Sequence, residues 1–316
     1  MKKLIMTLFG MLLIPVGLAV LFSMFSDQIR IGTGGMTVKN HLLGKEILIE
    51  MSGLYRSMDV EEYVLGVLPG TIPADYDPEA LKVQAILIRT NILKEMQEKN
   101  TEDAEDLSYQ YLTVEERIAM WGERNYENYE KRMETAVVET AGMVIEQEGN
   151  LITAFYHEVS IGKTASAAEV LGNDISYLQS VESSQDVEAK HYMNIVPYTW
   201  EQISEKMSGQ NTETNVSEHA AQVDESTENG FVKSFSIDGI SFTGEEAMQT
   251  FQLTSVNFYV ELVDGGLRFI CLGKGNCLGV SQYGANAMAK NGSPMEEIIS
   301  YYYQGVSLVK FHNECQ

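Results

Sequence analysis

The chain opens on an unbroken apolar run. Residues 4–25 of "MKKLIMTLFGMLLIPVGLAVLFSMFSDQ" carry no charge. At about 1.5 Å per residue in a helix, such a run crosses the ~30 Å hydrocarbon core of a bilayer. The expectation is a cytoplasmic tip and transmembrane anchor over residues 1–26. Lys2 and Lys3 hold the N-terminus on the cytoplasmic side, and Pro15 is a kink that membrane helices tolerate. The alternative is a cleaved signal peptide. Its apolar region is usually only ~7–15 residues long and ends in a small-x-small site; here the run is longer and "LFSMFSD" is a poor cleavage sequence. Residues 27–316 are then a single extracytoplasmic domain, attached to one side of the cell membrane by a single pass.

Beyond a short stalk, the pattern over 27–58 turns β-prone at "HLLGKEILIEMSG". At "YDPEALKVQAILIRTNILKEM" it becomes helical: Asp77 suits the cap, Pro78 the first position, and Leu81, Ile88 and Ile92 make an apolar stripe. Residues 97–132 read as acidic and irregular to helical, and 133–142 as a short helix. Three hairpins follow. "GMVIEQ" and "LITAFYH" flank Glu148-Gly149-Asn150; "FVKSFSI" and "ISFTG" flank Asp238-Gly239; "NFYVELV" and "LRFICLG" flank Asp264-Gly265-Gly266. "SQYGANAMAKNG" predicts a helix ending at Gly292, and Ser293-Pro294-Met295-Glu296 predicts a capping box opening a last one. The fold class expected is α+β, with antiparallel hairpins and packed helices enclosing a groove. Residues 208–229 have no aromatic residue, five acids and no Lys or Arg; they are expected to form a disordered acidic insert with a solvated His219.

Charge and composition narrow the function. The formal net charge is −23 over 316 residues, 44% of them hydrophobic. Such a surface repels polyphosphate and argues against nucleic acid as a ligand. Cys271, Cys277 and Cys315 are too few for a disulfide scaffold. A Cys271–Cys277 bridge and three buried thiols both remain open. The five histidines stand at no metal-ligand spacing, and no phosphate loop, nucleophile elbow or metal-protease helix is present. No metal and no cofactor are expected.

Three blocks carry candidate chemistry. In "EEYVLGVLPGTIPADYDPEALKVQAILIRTN", Arg89 falls in the helical row of Ala85, Ile92 and Leu93, so it is at least partly buried and needs an anionic partner. It is either a structural ion pair with Glu61, Glu62 or Glu79, or a cation lining a cleft. In "AFYHEVSIGKTASAAEVLGND", a strand ends at His157. The loop Ser160-Ile161-Gly162-Lys163-Thr164 then offers amides, hydroxyls and an ammonium to a polar ligand such as a sugar. In "GKGNCLGVSQYGANAMAKNG", closely spaced glycines precede Ser281 and Gln282, which open a helix.

Taken together, the three blocks resemble the stage II sporulation protein D and amidase enhancer family, whose members show "EEYV.GVV..EMP", "EALKAQA.AART", "Y.STSGG.T" and "G.GHGVGMSQ.GA..MA..G". The resemblance spans roughly residues 40–312, with the acidic segment interrupting it. It implies a membrane-anchored protein of the engulfing septum of sporulating cells. It also implies lytic transglycosylase chemistry on peptidoglycan glycan strands, with stage II sporulation proteins P and M as partners. The substrate-binding residues it suggests are Arg89, Ser160, Gly162, Lys163, Thr164, Ser281 and Gln282.

The departures are as informative. The family's catalytic Glu falls on Thr71, its glycine-flanked His on Asn276 and the following Gly on Cys277. The zinc site of some relatives, a His with two Cys, has no cysteine near His157. Glycoside cleavage needs a proton donor at the glycosidic oxygen, which a carboxylic acid supplies and a Thr hydroxyl does not. The reading is therefore a glycan-binding scaffold or enhancer of a cell-wall hydrolase. The rival is an active lytic transglycosylase with Glu158 as displaced acid, and a third possibility is a structural septum protein without glycan affinity.

Overall fold

The computed structural model describes residues 38–51, 53–207 and 219–311. The expected membrane anchor, the N-terminal part of the stalk, residues 208–218 of the acidic segment and Cys315 lie outside them. Among the described residues no helix is long and apolar enough to cross a membrane.

The first half is built around one long helix. The hairpin β1 (Glu46–Met51) and β2 (Leu54–Asp59) leads into α1 (Val60–Val67), capped by Asp59, whose carboxylate accepts from Glu61 N. A 3-10 turn, Leu68–Gly70, and an irregular loop follow. Next comes α2 (Pro78–Lys99), with Asp77 accepting from Glu79 N at its start and left-handed Asn100 at its end. Every residue from Val83 to Thr90 is buried. The predicted stripe is therefore one face of a helix enclosed all round. Its neighbours are α1, α4 (Glu123–Glu139), the two helices within 282–302 and the sheet β13 (Ser307–Lys310), β3 (Met143–Gln147), β4 (Asn150–Leu151), while α3 (Val114–Trp121) packs on α4. The "short helix" of 133–142 thus begins ten residues earlier than expected, because Tyr126, Glu130 and Met133 already supply a buried face.

The hairpin after β3 turns as predicted, with Glu148 and Gly149 both at positive φ. Its second arm is shorter than expected, because the chain leaves β3 after Leu151. β5 (Tyr156–His157) instead pairs in parallel with β12 (Val280–Ser281), joining the second block to the third. The short helix α5 (Ala167–Val170) follows.

The second half is a β-rich lobe. β6 (Met193–Thr199) leads into α6 (Trp200–Met207); β7 (Ala221–Ser226), β8 (Val232–Ile237) and β9 (Ile240–Thr243) form one antiparallel sheet; α7 (Gly244–Thr250) follows. β10 (Phe258–Val263) and β11 (Gly266–Leu272) join β6 in another. Phe235, Phe242, Phe251, Phe258 and Phe269 pack between them, neighbouring rings 5.0–6.3 Å apart, mostly edge to face. The expectation of disorder over 208–229 fails for its second part. Ala221 and Val223 alternate inward toward this aromatic core, making β7 an edge strand. His219 is also held, stacking on Trp200 at 3.9 Å with its Nδ1 2.8 Å from Asp238 Oδ2.

Two helices close the chain: α8 (Gln282–Lys290) and α9 (Met295–Tyr302). The predicted capping box at Ser293 does not form. Pro294 is the cap residue, and the freed amide of Met295 donates to Glu79 Oε2 at 2.8 Å, tying α9 to the start of α2. Cys271 and Cys277 are buried free thiols rather than a bridge. Burial pushes both thiols up, Cys277 to about 12.

Candidate functional site

The three blocks meet around the loop Thr71–Asp77. Ser281 caps α8 by accepting from Gly284 N at 3.1 Å, which sets Gln282 at the first helical position. Gln282 Nε2 donates to the carbonyl of Thr71 at 2.6 Å. One turn further on, Asn286 Oδ1 accepts from Asp77 N at 2.8 Å. Two side chains at i and i+4 on one helix face therefore hold both ends of the loop. Thr71 is secured further by its own turn: its amide and its hydroxyl both donate to the Leu68 carbonyl, at 3.1 and 2.9 Å.

The opposite wall is the segment after β5. His157 points inward, 3% exposed, and Glu158 points outward, one-third exposed, as strand alternation requires. Glu158 binds the Lys274 ammonium at 2.6 Å, and its carbonyl accepts from Tyr283 N. Tyr76 lies near Glu158, Asp75 and Tyr283. Burial, and then the charges of Glu158 and Asp75, push its phenol up to about 12. The wall needs close backbone approach. At Gly279, with φ +64°, a Cβ would lie 2.0 Å from the Phe155 carbonyl oxygen. Cys277 stands at φ +60° where the family carries glycine.

Beneath Glu158 sits a buried polar pair. His157 Nδ1 donates to the Leu278 carbonyl at 3.0 Å, which leaves Nε2 without a hydrogen-bond partner among the described residues. Burial lowers its pKa to about 4 against the opposing pull of Leu278 and Asp186. Asp186, fully buried, accepts from Ser160 N at 2.7 Å through Oδ2, and its Oδ1 is likewise unpartnered. Asp186 was invisible in sequence: nothing in "VESSQDVEAK" sets it apart from a solvated acid.

Several candidate binding residues have other duties. Arg89 is 0% exposed and lines no cleft. It forms the structural ion pair with Glu61, Nε to Oε1 at 2.8 Å and Nη2 to Oε2 at 2.6 Å, because α1 crosses α2 there. Ser160 Oγ accepts from Gly162 N, Thr164 Oγ1 accepts from Val181 N, and the Gly162 carbonyl accepts from Ser183 N. Ser160, Thr164, Ser281 and Gln282 are all buried, so they shape the wall rather than face a ligand. Thr71, Glu158 and Lys163 keep partial exposure. Among the described residues no group of three or more His, Cys, Asp or Glu is arranged to hold a metal ion. A separate cavity of about 430 Å³, lined by Asn91, Tyr109 and Tyr156 among others, includes none of these side chains.

The family model described as "Stage II sporulation protein" matches residues 51–146, the stretch containing α1, the Thr71 loop and α2. The chain is 29% identical over 260 residues to stage II sporulation protein D of Bacillus subtilis (strain 168), covering 80% of this chain and 75% of that protein. The chain is similar to the stage II sporulation protein D and amidase enhancer family. Stage II sporulation protein D of Bacillus amyloliquefaciens is likewise 29% identical, over 264 residues, 80% of this chain and 74% of that one. The amidase enhancer of Bacillus subtilis (strain 168) is 26% identical over 297 residues, 78% of this chain and 40% of its own length. Within the family's first block, the residue pinned by Gln282 is a threonine.

Proposed function

We propose that this protein works on the cell wall during sporulation, gripping peptidoglycan glycan strands in the cleft between the Thr71 loop and Glu158 without cutting them. It serves as scaffold or enhancer for a partner hydrolase, held at the membrane by residues 4–25, with its main domain outside. Stage II sporulation proteins P and M are the first partners to test. The observation that carries this reading is the state of Thr71. The loop is held in place by Gln282 and Asn286, while the Thr71 hydroxyl donates its hydrogen bond to Leu68 O. The framework for a reacting group is intact, and the group itself is absent. Loss of a general acid typically costs about 10²–10⁴-fold in rate.

The rival reading, Glu158 as displaced acid, has position in its favour: it faces outward beside Tyr76 and Tyr283. Against it, Glu158 Oε2 is engaged by Lys274. Pelleting with purified glycan strands, followed by mass spectrometry of the products, separates the two. The full chain is expected to pellet and to release no anhydro-muramyl ends. Thr71→Glu is expected to release them. Anhydro ends from the unaltered chain that vanish in Glu158→Gln would transfer the role to Glu158, and failure to pellet would end the binding reading.

A further inference from the structure

On a chain of formal charge −23, one groove is positive. It is a cavity of about 270 Å³ between the start of α2 and the outer face of α4, close to the lower end of the ~300–1,000 Å³ range of ligand pockets. From α4 come Lys131, Arg132, Thr135 and Ala136, neighbours on one helical face; from α2 come Leu81 and Lys82.

The three cations are not equivalent. Lys82 is neutralised by Glu79 at 2.7 Å and Glu139 at 2.6 Å. Lys131 is exposed and forms no ion pair with any described residue. Arg132 donates to two backbone carbonyls, Ala74 from Nε at 2.9 Å and Tyr76 from Nη2, and forms no ion pair with any described residue. Exposed Pro78 and the half-buried Lys82 and Arg132 side chains, lying over the buried Leu81 and Ala136, give the groove an apolar floor.

Two uncompensated cations above an apolar floor match a carboxylate attached directly to a small apolar group. A bare phosphate would meet the cations and leave the floor uncovered. We propose that this groove binds the free α-carboxylate of a peptide ending in a small apolar residue, with Lys131 as its main charge contact. Arg132 connects the occupant to the cleft, because the carbonyls it holds belong to the loop between Thr71 and Asp77. That the peptide is a wall peptide rests on the functional reading above; the groove's chemistry does not.

The test is a titration of the full chain, methyl-labelled at Leu and Ala, with acetyl-alanyl-alanine, its C-terminal amide and inorganic phosphate. The acid is expected to shift the Leu81 and Ala136 methyls at millimolar concentration. The amide and the Lys131→Gln variant should each bind about tenfold more weakly, the scale of one charge-assisted contact. Lys131→Arg should retain affinity, and phosphate should leave the Leu81 methyl unmoved. Equal binding of acid and amide, an unaffected Lys131→Gln, phosphate matching the acid, or no methyl shift would each overturn the proposal. Glycan pelleting on the same sample keeps the two claims apart: peptide binding without pelleting sinks the cleft reading alone, and the reverse sinks only the groove.

Discussion

Two buried polar pairs in this protein have opposite characters. Arg89 and Glu61 are completely used. The guanidinium reaches both Glu61 oxygens, Thr140 Oγ1 and the carbonyls of Met143 and Val137, while Glu61 Oε1 also accepts from Gly142 N. His157 and Asp186, beneath Glu158, each keep one polar atom unpartnered among the described residues. The first pair locks α1, α2 and the α4–β3 junction together. The second pair is held less completely, beneath Glu158. Full satisfaction marks a structural fixture, whereas a buried pair with spare hydrogen-bonding capacity is more loosely tied.

The contrast can be broken from the Arg89 side first. Glu61→Ala leaves a guanidinium uncompensated in the core and is expected to cost about 3–5 kcal/mol in urea unfolding. A cost near that of a surface substitution would mean the pair is not the fixture described.

The second test is pH. The His157 imidazole titrates near ~6.5 when unfolded and at about 4 when folded. Between those values the unfolded chain takes up a proton that the folded chain refuses. The His157 contribution is therefore fully present above about pH 6.5 and is lost as pH falls toward 4, by up to about 3 kcal/mol. Urea midpoints measured across that window should steepen in the native protein relative to His157→Gln; parallel profiles would deny the burial penalty.

Smaller effects belong to the cleft wall. Gln282→Ala removes one bond to a carbonyl, about 1 kcal/mol of stability, yet should weaken glycan pelleting by freeing the Thr71 loop. Unchanged pelleting would show that the tether is dispensable. Glu158→Gln breaks a partly exposed pair with Lys274 and should change stability by less than about 1 kcal/mol, a result that a core role for Glu158 would contradict.

Much of this was legible in the sequence, and the illegible parts have physical causes. Asp77, Pro78, Glu148-Gly149 and Asp238-Gly239 act locally, so their roles could be read locally. Arg89 was recognisable as buried from its helical row. Its partner was ambiguous among three acids, because only the crossing of α1 over α2 selects Glu61. The i, i+4 spacing of Gln282 and Asn286 was present to be read, but the loop they hold lies about two hundred residues away in the chain. The acidic segment misled because its lack of aromatics hid a two-residue alternation, Ala221 and Val223, that an existing sheet edge could use. The capping box failed because Glu79, remote in sequence, supplied what Ser293 was expected to supply.

Gln282 grips the main-chain oxygen of residue 71, not its side chain. The position is thereby fixed in space while its identity is left free. A chain built this way can change the side chain at residue 71 without disturbing its architecture. The length of the Thr71–Asp77 loop, clasped across one helical turn, is then the quantity that cannot drift.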